Sequence, residues 1–71
     1  MKIEDLNKDV RRLLLDHWTK AEIEDRLDNP EYFFDHVVSP RLDYLRKQGE
    51  EIPQLRSHRL PDGGFRVYLA H

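Results

Sequence analysis

The sequence predicts an α+β fold, mainly α: three to four short helices followed by a C-terminal β-hairpin. Three observations predict it. Val38, Leu42 and Leu45 fall at i, i+4 and i+7, one stripe of a 3.6-residue helix, and Gly49 stands where a left-handed C-terminal cap is wanted. Thr19-Lys20-Ala21-Glu22 reads as a capping box, which starts another helix upstream. Two short runs flank Pro61-Asp62-Gly63-Gly64, and an Asp-Gly between such runs is a strong hairpin signal.

Length and composition set the frame. With 71 residues the chain is expected to form a single domain, 1–71. A domain this small buries a modest core, and dimerisation would help it. There is no cysteine, so neither a disulfide nor a thiolate metal site can staple it. Charged residues make up 37% of the chain, against roughly 25% on average, so stability rests on a few well-placed apolar side chains. No segment approaches the ~20 apolar residues of a membrane span. Met1-Lys2-Ile3-Glu4-Asp5 lacks the apolar region of a secretory signal, so a cytoplasmic protein with no membrane partner is expected. The net charge is −2, but it is unevenly spread. Residues 1–35 carry six Lys/Arg and ten Asp/Glu, and residues 36–71 carry six and four. The C-terminal half is therefore the half suited to phosphate.

The elements follow in order. Ile3, Leu6, Val10, Leu13 and Leu14 sit at helical spacing and predict a first amphipathic helix over about 3–16, a scaffold element or dimer contact. Trp18, the single tryptophan, is expected to anchor the core between helices. The capping box opens a short acidic helix over about 20–28, with Ile23 and Leu27 inward and Glu24, Asp25 and Asp28 outward. Asn29 then caps and Pro30 suits a first helical position. Tyr32, Phe33 and Phe34, with Val37 and Val38, are expected to form the centre of the core, in preference to an aromatic base-stacking platform.

Two readings of the next segment compete. Either one helix runs from about Asp35 through Pro40 to Gln48, or a short helix ends near Val37 and Ser39 caps a new one opened by Pro40. Proline costs little in a first turn, whose N–H groups have no helical partner, so the break at Ser39 is preferred. In the tail, Phe65, Val67 and Leu69 line one face of the last strand and Arg66 and Tyr68 the other. Leu55, Ser57 and Arg59 share one face of the strand before it, and Arg56, His58 and Leu60 the other. That alternation is imperfect and leaves the register open.

Helix, capped helix, helix, glycine and hairpin is the order of a winged helix-turn-helix. From Arg41 onward, RLDYLRKQGEEI and then RSHRLPDGGFRVYLA resemble that superfamily. They are similar to the small helix-turn-helix domains of phage-type proteins and to the biotin-repressor DNA-binding domain. The residues that carry the likeness are Leu45-Arg46-Lys47-Gln48-Gly49, Ile52, Arg56, Arg59, Tyr68 and Leu69, together with the capped helix from Thr19 to Leu27. One departure is the longer connection between Leu27 and Val38, which includes Asn29-Pro30-Glu31-Tyr32 and would reposition the third helix.

The resemblance implies binding of double-stranded DNA, with the third helix in the major groove and the hairpin as a wing on the backbone or minor groove. At 100° per residue, the helix side opposite Val38 and Leu45 presents His36, Pro40, Asp43, Tyr44 and Lys47, with Arg41 and Arg46 on the flanks. The expected DNA-binding residues are His36, Ser39, Arg41, Tyr44 and Lys47 on the helix and Arg56, His58, Arg59 and Arg66 on the wing. Each has a plainer role beside it. Charged residues protect hairpin edges, and Ser39 reads first as a helix cap.

Catalysis finds little support. Ser39 and Ser57 are the only serines and neither sits in a nucleophile elbow; His17, His36, His58 and His71 follow no zinc spacing; and no glycine-rich phosphate loop is present. The expectation is a non-enzymatic regulator, needing no cofactor or metal, that binds duplex DNA as a homodimer. The alternative is a winged-helix interaction module or phage-encoded inhibitor. Its acidic half (Glu22, Glu24, Asp25, Asp28, Glu31 and Asp35) would take a basic protein partner.

Overall fold

A computed structural model describes residues 1–70. Three helices precede a C-terminal antiparallel hairpin. The first apolar stripe is split. Ile3–Asp5 is a single 3-10 turn, and the α-helix α1 runs over Lys8–Leu15. The expected unbroken helix over 3–16 gives way at Asn7, whose side-chain oxygen accepts the Asp9 N–H at 2.8 Å and caps α1. The apolar spacing survives the break, since Ile3, Leu6, Val10 and Leu14 are all buried.

α2 spans Lys20–Arg26 and opens on the expected box. The Thr19 hydroxyl accepts the Glu22 N–H at 3.2 Å, and Glu22 Oε1 accepts the Thr19 N–H at 3.1 Å. The Thr19 backbone N–H, then its hydroxyl, hold the Glu22 carboxyl below its ordinary value of 4.5. A carboxylate with a lowered folded pKa contributes stability above the unfolded pKa and loses it as pH falls through the folded one. Glu22→Gln should therefore flatten the acid limb of the unfolding curve below about pH 4.5, as read by urea melts from neutral to acid pH; an acid limb identical to wild type would exclude this contribution.

The third helix is composite. α3 (Pro30–Phe33), a π-helical turn (Phe34–Val38) and α4 (Ser39–Lys47) follow one another without a break. This corrects the preferred break at Ser39. Ser39 has helical dihedrals, φ −58 and ψ −47, its N–H donates to the Phe34 carbonyl, and its side chain caps nothing. Pro40 is the physical reason. A mid-helix proline offers no N–H to the carbonyl four residues back, and its ring presses on that carbonyl. A wide turn just upstream, with one extra residue, makes room for it.

The core joins Phe33, Phe34, Val38 and Leu42 of the third helix to Ile23 and Leu27 and to the N-terminal stripe, with Leu45 half-buried against it. Each such side chain, fully buried, contributes about 1.5–3 kcal/mol. Phe33 packs edge-on against the half-buried Trp18, with ring centroids 5.9 Å apart. Tyr32 departs from expectation: it is 59% exposed. Three consecutive helical residues span about 200°, so with Phe33 and Phe34 both inward Tyr32 is turned out, where it lies over His36 with centroids 4.7 Å apart.

Gly49 ends α4 as expected, with φ +97. Its N–H donates to the Arg46 carbonyl at 3.0 Å and the Glu50 N–H to the Leu45 carbonyl at 3.2 Å, the two bonds of a Schellman cap. No atom lies within 4 Å of where a Cβ would stand. Gly49→Ala should thus cost only left-handed backbone strain, about 1 kcal/mol, in a denaturant melt. A loss several times larger would mean that the turn must close more tightly than this.

The hairpin pairs β1 (Gln54–Arg59) with β2 (Phe65–Ala70). Leu55 faces Leu69, Ser57 faces Val67 and Arg59 faces Phe65, which settles the register that the sequence left open. Their shared side turns inward: Val67 is buried, Phe65 lies 6.1 Å from Phe34 between ring centroids, and β2 rests against α1. At the turn, the Gly63 N–H donates to the Leu60 carbonyl, Gly63 has φ +88, and Asp62 Oδ1 accepts the Gly64 N–H at 2.9 Å. No described helix is long and apolar enough to cross a membrane.

Candidate nucleic-acid interface

Strand alternation decides what the hairpin shows to solvent. With Leu55, Val67 and Leu69 turned inward, the outer face carries Arg56 opposite Tyr68 and His58 opposite Arg66. All four are exposed, and His58, Arg66 and Tyr68 line one shallow hollow. Among the described residues neither Arg56 nor Arg66 has an ion-pair partner. The one carboxylate between residues 54 and 70 is Asp62, at the turn and engaged by Gly64. Two guanidinium groups, an imidazole and a phenol thus share a surface on which no carboxylate of the described residues pairs with them.

Arg59 belongs to a different environment. It falls on the inward-turning side at the turn end of β1, and its guanidinium pairs with Glu31 of α3. The Gly63-Gly64 turn sits beside Asn29, Pro30 and Glu31. The longer connection after Leu27 thus borders one hollow with the hairpin tip and is joined to β1 by the Glu31–Arg59 pair. No local sequence signal announces this pair, whose members are 28 residues apart.

The expected helix residues are placed as follows. His36, Arg41, Tyr44 and Lys47 are exposed along the third helix, and Tyr44 is 57% exposed. Ser39 is half-buried inside the helical run. Asp43 pairs with Arg46 at 3.0 Å, which offsets the repulsion it would exert on a phosphate.

Arg46, read from the sequence as a flank residue, is a structural clamp. Its Nε donates to the Ile52 carbonyl at 2.9 Å and its Nη2 to the Pro53 carbonyl at 2.6 Å. One side chain thereby ties the end of α4 to the entry of β1 and sets where the hairpin leaves the helix. The signal was present in part: an Arg one turn before a helix-ending Gly, followed by an Ile-Pro with free carbonyls.

The class defined by this geometry is a small α+β domain of three helices and a C-terminal antiparallel hairpin. No protein-family model, curated protein or solved structure matches the chain.

Proposed function

We propose that this chain is a small winged-helix protein that binds duplex DNA, as a transcriptional regulator of phage or mobile-element type. The observation that carries the reading is the outer face of the hairpin, where Arg56 and Arg66 stand without carboxylate partners among the described residues, beside His58 and Tyr68. Cations held side by side on a two-stranded ribbon suit a phosphate backbone, and they release its condensed counterions on binding. α4 lies next in the chain, clamped to the ribbon by Arg46, and offers Arg41, Tyr44 and Lys47 to the same duplex. These side chains favour backbone contact over base reading, because few of them suit base edges. A homodimer would double the contact set along one duplex.

An anisotropy titration on mixed-sequence duplex at two salt concentrations tests this. Four phosphate contacts would give a log–log salt slope of roughly −3 to −4. No affinity at low salt would end the DNA reading.

A second reading, an interaction module for a basic protein, is favoured by one observation. Asp25, Asp28 and Asp35 are exposed and carry no ion-pair partner among the described residues, beside the exposed Tyr32.

A further inference from the structure

The connection after α2 borders a second hollow besides the one it shares with the hairpin tip. Between the end of α2 and the start of the third helix lies an open cleft of about 210 Å³. The exposed Tyr32 and half-buried Val37 give its apolar lining, with the buried Phe33 behind them, and Asp25 and Asp28 its acidic lining. Val37 is half-buried and Tyr32 is held over His36 by their stack, so the apolar surface is set before any partner arrives. Arg26 also borders the cleft, but its guanidinium is turned back to the Glu22 carbonyl at 3.3 Å. None of the lining residues belongs to the basic hairpin face.

We infer that this cleft is a docking site for a partner-protein segment presenting one bulky apolar side chain flanked by Lys or Arg. The apolar side chain would rest on Val37 and Tyr32, over the buried Phe33. The flanking cations would meet the Asp25 and Asp28 carboxylates, which no side chain of the described residues neutralises. Charge selects the occupant: an apolar surface alone accepts any hydrophobic segment, while the two carboxylates, set against the single cation of Arg26, disfavour an acidic one. An exposed tyrosine beside an apolar surface is the residue type that anchors interfaces of this kind. The inference deepens the second reading above by assigning it a place, and it is independent of the hairpin.

The test uses the full chain and two probes, a short amphipathic Leu/Lys peptide and its Leu/Glu counterpart, followed by amide chemical shifts. The Leu/Lys peptide should shift Asp25, Asp28, Tyr32, Phe33 and Val37, and the Leu/Glu peptide should not. Asp25→Lys with Asp28→Lys should weaken Leu/Lys binding by about tenfold, and Tyr32→Ala by a similar factor. All three positions are exposed, so a thermal melt should confirm folding. A control pair, Glu4→Lys with Asp9→Lys, removes the same charge elsewhere and should retain the shift pattern on the cleft. If the control pair weakens binding as much as the Asp25 and Asp28 pair, attraction is diffuse and the cleft is not the site, although the second reading survives. If the Leu/Lys peptide binds nowhere, both fail.

Discussion

Arg46→Met is expected to cost about 2–3 kcal/mol of unfolding free energy. The guanidinium donates to two backbone carbonyls and to Asp43, and hydrogen bonds from a charged donor are each worth about 1.5–3 kcal/mol without adding in full. The side chain is only 20% exposed, so water replaces these bonds poorly. A domain of 71 residues has roughly 4–11 kcal/mol in total, so this is a large fraction. The melting temperature should fall by roughly 10–20 °C. Arg46→Lys should not rescue it, since an ammonium lacks the planar fork that reaches two carbonyls at once. Asp43→Asn should cost under about 0.5 kcal/mol, because that carboxylate is 67% exposed. Equal losses from Arg46→Met and Asp43→Asn would mean that the ion pair, not the carbonyl clamp, is what matters.

Arg56→Ala combined with Arg66→Ala is expected to weaken duplex DNA binding by about tenfold per guanidinium at low salt and to lower the steepness of the salt slope by roughly 2. Both side chains are exposed and have no ion-pair partner among the described residues, so the melting curve should stay close to wild type. Arg59→Ala makes the contrast. Its guanidinium already has Glu31, and a cation paired internally displaces fewer counterions. Its loss should change the slope less than either of the others and loosen the hairpin tip more. A double variant with an unchanged slope would remove the hairpin face from the binding surface.

Much of this architecture was legible because local rules act on few residues. The Thr19–Glu22 box, the Asn29-Pro30 start, the Gly49 cap and the alternation from Phe65 to Leu69 each follow from backbone needs within one turn or one strand. What was not legible depends on residues far apart or on geometry between elements. The Glu31–Arg59 pair needs the fold before it exists. The continuity through Ser39 depends on a π turn, and Pro40 alone does not announce whether a chain breaks or widens. Tyr32 was legible in principle: three consecutive helical residues span about 200°, so with Phe33 and Phe34 inward the third aromatic cannot also face the core. The two faces of each strand were legible residue by residue, but which face of β1 turns outward, and which arginines have no partner among the described residues, was settled only by the register and by α3.

The central claim is that the hairpin's outer face meets a polyanion. Its most direct measurement is the amide shift map on adding mixed-sequence duplex DNA at low salt. Binding there predicts changes concentrated at Arg56, His58, Arg66 and Tyr68, extending to Arg41, Tyr44 and Lys47. Changes confined to α2 and the cleft beside Tyr32, or none at all, would contradict it.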